Sequence, residues 1–280
     1  MTDDGPSTRT VLLALAVVTV AAVAPTLVAA RPANEIPVEE DPPDAEALAE
    51  PAGDAWGRVP AADVALASAE SSVPNAEDTS VEAVTVRAAQ TDGSLFVRLS
   101  WDDATADAFT PGAENRTPDV TTFWDAAAIQ LPANTSAHPG IAMGSDRTMV
   151  NVWYWSAPNT SQELLAGGPG TTTPVGDPAV QTSASYEDGT WHVVFERTLQ
   201  VDDAGENRTT IEGERDVDVA LAVWNGSNAE RSGQKAVSEW QYFPLGPGAE
   251  GPPYATILWI VAGLAIAVVI VATVLGVQRT

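Results

Sequence analysis

Between residues 56 and 245 the apolar side chains recur at every second position in short runs, a period that fits pleated strands and excludes a helical stripe. In Leu95-Phe96-Val97-Arg98-Leu99-Ser100-Trp101 the odd-numbered positions face one side. Trp191, Val193 and Phe195 repeat the arrangement, as do Val217, Val219, Leu221 and Val223. Turn chemistry bounds the runs at Asp92-Gly93, Asp188-Gly189 and Asn225-Gly226. No amphipathic helix of useful length interrupts them, so the expected fold is all-β, an antiparallel β-sandwich.

Two longer apolar runs lie at the ends. Ala255–Val277 is 23 residues without a charge, long enough as a helix to cross a hydrocarbon core about 30 Å thick. Tyr254 and Trp259 sit toward its outer end and Arg279 follows its inner end, so the C-terminus is expected in the cytoplasm. Val11–Ala30, preceded by Arg9 and ending in small residues, fits a secretory signal peptide or an uncleaved anchor. Either outcome puts residues 31–254 outside the cell. The expected division is a signal or anchor at 1–30, an acidic Pro/Ala linker at 31–53, and a β-sandwich domain at 54–245. A linker at 246–254, a transmembrane helix at 255–277 and a cytoplasmic tail at 278–280 complete the chain. Asn-x-Ser/Thr sequons at Asn115, Asn134, Asn159, Asn207 and Asn225 suit an exported surface.

The chain has no cysteine, which excludes disulfides, covalent c-type haem, iron–sulfur clusters, blue copper and Cys-ligated zinc on it. Lys+Arg 13 against Asp+Glu 38 gives a net charge of −25. That balance disfavours nucleic acid and suits a halophilic protein, whose self-repulsion concentrated salt screens. Catalytic patterns are sparse. His138 lies in a Pro/Gly-rich loop that could place it at a site or simply on the surface, and His192 lies on a strand, where a structural or solvated role is expected. The pairs Asp102-Asp103 and Asp202-Asp203 read as surface or turn residues, because neighbours on a strand point to opposite faces.

Two segments remain. Ala126–Trp155 runs from a strand ending in Ile129-Gln130-Leu131, through a loop with Met143-Gly144, into a strand with Trp153 and Trp155. Ala220–Leu245 carries Ala222-Val223-Trp224-Asn225-Gly226-Ser227, then Arg231, Gly233 and Lys235-Ala236-Val237-Ser238-Glu239-Trp240. These segments resemble the haem b-binding gamma subunit of the molybdoenzyme family that includes ethylbenzene dehydrogenase and the selenate, chlorate and dimethylsulfide-oxidising enzymes. In that family a strand reading A-x-W-[DN]-G-S precedes an Arg, a Gly and a ligating Lys in K-x-x-S-x-W, and a Met-Gly loop ahead of W-x-W supplies the other ligand. Asp54-Ala55-Trp56 and Phe96–Asp103 resemble its opening strands, so the likeness spans residues 54–245.

The resemblance implies one non-covalent haem b with Met143 and Lys235 as its axial iron ligands. It also implies electron transfer to or from an iron–sulfur subunit and a molybdopterin catalytic subunit. With both axial positions filled the chain would not itself be catalytic. The C-terminal apolar run and the acidic surface depart from the family pattern and bear on attachment rather than on the haem site. The residues agree with the assignment: Lys235 is the only lysine, and Met143 and Met149 are the only methionines after Met1. Met149 reads as core filler in phase with Trp153. A lysine amine binds iron once deprotonated, which arginine cannot do. Two other readings stay open on the residues alone: a glycosylated carbohydrate- or ligand-binding sandwich without redox role, and a hydrolase using the paired aspartates.

Overall fold

The alternating runs become strands in a computed structural model that describes residues 34–108, 123–134, 139–157, 160–201, 207–211 and 215–245. In chain order the strands are β1 Val38–Glu40, β2 Ala61–Ala65, β3 Ala67–Ser68, β4 Ala83–Gln90, β5 Ser94–Asp102, β6 Ala126–Pro132 and β7 Val150–Ser156. They continue with β8 Thr160–Ala166, β9 Thr173–Pro174, β10 Val180–Glu187, β11 Thr190–Thr198, β12 Val217–Trp224, β13 Ala236–Val237 and β14 Gln241–Phe243. One sheet has the order β1-β4-β5-β11-β10, with β2 also on β4; the other runs β3-β13-β12-β6-β7-β8-β9, with β14 also on β12. The only helical turns among the described residues are short 3-10 segments at Ala45–Ala49, Asp54–Arg58 and Gly226–Asn228.

The predicted inward positions are the ones that pack. Leu95, Val97, Leu99 and Trp101 share one buried core with Trp191, Val193, Phe195, Val217, Val219, Leu221 and Val223. Ile129, Leu131, Trp153 and Trp155 join them, so the core draws on the facing sides of both sheets, as a sandwich requires. Asp92-Gly93 joins β4 to β5, and Asp188-Gly189, with both φ positive, joins β10 to β11. Within this layer Glu163 is fully buried, with Arg197 Nε at 3.7 Å and Arg208 Nε at 3.3 Å. Its carboxylate also accepts from Asn151 Nδ2 and Ala179 N, which is the satisfaction a buried charge needs.

Four expectations require correction. Residues 34–53 do not form a linker: β1 pairs in parallel with β4, and Leu48, Trp56 and Val59 bury against Ala89, Phe96 and Val194 on the outer face of the first sheet. Arg87 and Arg98 fasten this strap by donating to the carbonyls of Val59 and Pro51, and Arg98 also lies over the Trp56 ring. The β1–β4 pair also makes the first sheet mixed rather than wholly antiparallel. Asn225-Gly226 is not a hairpin turn, since Asn225 Oδ1 accepts from the backbone N–H groups of Ser227 and Asn228 and caps a 3-10 turn. That capping and its burial remove Asn225 from the exposed sequons. Asn134 and Asn207 are exposed, whereas Asn115, Asn159 and both apolar runs lie outside the described residues.

Candidate functional site

Strand alternation sends a second set of side chains to the outer face of the larger sheet. In register, Val237 stands opposite Ala222, Ala222 opposite Ala128, and Ala128 opposite Tyr154. The next row holds Gln130, Val152 and Leu164. Small side chains at Ala128, Ala222 and Ala166 make a low apolar floor, with Tyr154 and Trp224 in edge contact at 5.8 Å on one side. An apolar sheet face turned away from the core needs a cover. Two loops supply one, and each carries a residue that the sequence marked.

Met143 belongs to the loop between β6 and β7 and packs on this face. Its φ of +63° and that of Gly144, +70°, place consecutive residues in the left-handed region, which costs energy at a non-glycine residue. Hydrogen bonds maintain the conformation: Met143 N donates to Ile141 O at 2.9 Å, and Gly168 N donates to Met143 O at 2.9 Å. Gln130 Nε2, on the floor, donates to Ile141 O at 3.1 Å and ties the loop to β6. Gly144 is obligatory, because a Cβ there would lie 2.3 Å from Thr148 O.

Lys235 approaches from the other side, at the start of β13. Its carbonyl accepts from Ala69 N at 2.9 Å, and the buried Ser238 hydroxyl accepts from Leu221 N at 2.9 Å, fixing the segment to β12. These contacts give the K-x-x-S spacing a physical reason. Lys235 Nζ lies 4.0 Å from Met143 Sδ and 5.1 Å from the Trp224 ring centroid. No carboxylate pairs with it among the described residues. Burial lowers its pKa, so this amine gives up its proton more readily than an exposed lysine does.

A soft neutral donor faces a deprotonatable amine over an apolar floor, a donor set that suits haem iron.

The other sequence candidates fall elsewhere. Met149 precedes β7, is partly buried and belongs to no core cluster, so it is not core filler. His192 Nδ1 lies 2.9 Å from Ser100 Oγ on the outer face of the first sheet, and burial followed by Arg98 lowers its pKa. His138 and Asp202-Asp203 lie outside the described residues. Asp102 is exposed but Asp103 is buried, against the surface reading.

Asp103 belongs with a group that sequence reasoning missed. Asp125 is fully buried and accepts from Gly226 N at 2.8 Å, Asp107 N at 2.6 Å and Trp191 Nε1 at 3.0 Å. Burial, with a smaller contribution from Asp103, pushes its carboxyl up to about 6. This hub seats the turn after Trp224 and touches neither Met143 nor Lys235. Its partners lie far apart in the chain, so no local pattern marks it.

The profile of the family described as ethylbenzene dehydrogenase matches residues 53–177 and 167–236, a range that contains both Met143 and Lys235. A respiratory nitrate reductase heme subunit of Haloferax mediterranei is 53% identical, covering 94% of this chain and 92% of that protein. The gamma subunit of chlorate reductase from Ideonella dechloratans is 35% identical over 69% of this chain and 77% of its own. The gamma subunit of dimethylsulfide dehydrogenase from Rhodovulum sulfidophilum is 32% identical over 71% and 76%.

Proposed function

The chain belongs to the ethylbenzene dehydrogenase family of haem-binding gamma subunits, and from that premise we propose that it is a membrane-anchored, extracytoplasmic b-type cytochrome. It carries one non-covalent haem b between Met143 and Lys235. It passes electrons between the respiratory chain and a molybdopterin oxidoreductase through an iron–sulfur partner subunit. The observation that carries the reading is the 4.0 Å approach of the only lysine to Met143 over an apolar sheet face. When bound, haem supplies reversible one-electron iron chemistry.

The chain's own residues hold and tune that group. Met143 offers a neutral thioether from a loop constrained by left-handed backbone and by Gln130. Lys235 offers an amine whose pKa burial lowers. Ala128 and Ala222 keep the floor under the two residues low and apolar, and Trp224 and Tyr154 wall one side of it. With Met143 and Lys235 both holding the haem, the chain would leave substrate no place on it, and catalysis would belong to a partner subunit.

The test is extraction. Full-length protein from a haem-replete host should release its haem into acidified acetone, give a b-type pyridine haemochrome spectrum, and contain about one haem per chain. Colourless protein, or haem that resists extraction, would overturn the reading.

A further inference from the structure

Haem b carries two propionates, and a surface with a net charge of −25 repels them unless a cation receives them. Most of the described basic residues are committed elsewhere. Arg58 pairs with Asp44, Arg87 and Arg98 hold the N-terminal strap, and Arg197 and Arg208 flank Glu163 inside the sandwich. Arg231 and Arg147 are the arginines on the segments that bear the ligands, each four residues from Lys235 or Met143. Both are exposed, and among the described residues neither meets a carboxylate, although acids outnumber bases almost three to one.

Only one of the two is held in place. The Arg231 guanidinium lies 4.4 Å from the Phe123 ring centroid, and Phe123 N donates to Gly226 O. Gln234 N donates to Arg231 O at 2.9 Å, closing the turn that leads into Lys235. Trp224 Nε1 donates to the carbonyl of the next residue, Ser232, at 3.2 Å. The loop's far side is anchored by buried Glu230, which accepts from Asn225 N at 3.0 Å and Ser80 N at 2.9 Å. A guanidinium stacked on a ring, in a turn braced at both ends, loses little freedom when it receives a carboxylate. Among the described residues the Arg147 side chain has no such support. We propose that Arg231 is the propionate anchor of the haem site, a carboxylate-binding subsite built on the same loop as the axial lysine; this rests on the haem reading above.

The test compares haem b with its dimethyl ester, which keeps the ring and iron but removes both carboxylate charges. Full-length wild type, Arg231→Gln and Arg147→Gln are loaded with each compound, and transfer to excess apomyoglobin is followed in the Soret region. Arg231→Gln should lose haem b about tenfold faster than wild type and lose the ester at a rate within twofold of wild type. Arg147→Gln should leave both rates within twofold. The midpoint potential of the haem b form should fall in Arg231→Gln, because removing a nearby positive charge favours the ferric state. Equal acceleration with both compounds would make Arg231 a structural residue, and no acceleration with either would make it an ordinary surface residue; each outcome overturns the proposal. The same holds if Arg147→Gln alone shows the ester-dependent effect. Wild type that takes up neither compound would instead overturn the haem reading.

Discussion

Gly144→Ala tests the proposed site without replacing Met143 or Lys235. A methyl group at 144 would lie 2.3 Å from Thr148 O and 3.3 Å from Val150 Cγ1, and alanine resists the φ of +70°. Left-handed backbone costs a non-glycine residue roughly 1–2 kcal/mol. Relieving the clash also opens the turn in which Ser145 N donates to Thr148 O at 3.0 Å and Gly144 N donates to Gly140 O at 2.9 Å, at about 1 kcal/mol for each bond. The loop geometry that presents Met143 is therefore disfavoured by about 3 kcal/mol, which lowers haem affinity about a hundredfold. The strands on either side keep their pairing, so far-ultraviolet circular dichroism should be unchanged. Gly140→Ala is the control, because a methyl group at Gly140 meets nothing within 4 Å. The assay is haem titration of apoprotein in the Soret region, with circular dichroism on the same samples. Affinity within threefold of wild type in Gly144→Ala would refute the claim that this loop conformation builds the site.

Replacing Met143 by alanine should open one axial position and shift the absorption spectrum toward high spin, whereas Met149→Leu, which conserves apolar volume, should be nearly silent; reversed effects would identify Met149 as the ligand. Lys235→Arg should lower haem retention although it keeps the charge, since a guanidinium does not deprotonate. An amine-reactive probe should label Lys235 slowly in holoprotein and faster after haem extraction, with the N-terminal amine as internal standard. The raised Asp125 carboxyl has a definite sign: the folded state holds its proton more tightly than the unfolded chain, so this group's contribution favours folding at low pH and declines as pH rises from about 4 to about 6, by on the order of 3 kcal/mol. Denaturation of Asp125→Asn across that window should lack this decline relative to wild type, and an unchanged difference between the two proteins would refute it. Protease added to intact cells should remove the β domain and spare a C-terminal tag; a tag digested first would reverse the topology.

Local pattern determined the strands, because a period of two depends only on which side of the pleat each residue occupies. Leu95 to Trp101 and Val217 to Val223 could therefore be placed in the core from the chain alone. Composition narrowed the candidates for the proposed ligands in the same way, since one lysine and two internal methionines leave few soft or deprotonatable donors. Tertiary contact decided what pattern does not carry. The Pro- and Glu-rich stretch after residue 34 has no period, yet Leu48 and Trp56 find a sheet face to cover. Asp103 and Asp125 resemble any surface acid until Gly226 and Trp191, about a hundred and about 66 residues further along, donate to Asp125. The site itself depends on the same kind of long-range contact. Met143 and Lys235 are 92 positions apart, and they meet because β6, β7, β12 and β13 are neighbours in one sheet, so strand order and register bring their two loops over the same alanine floor.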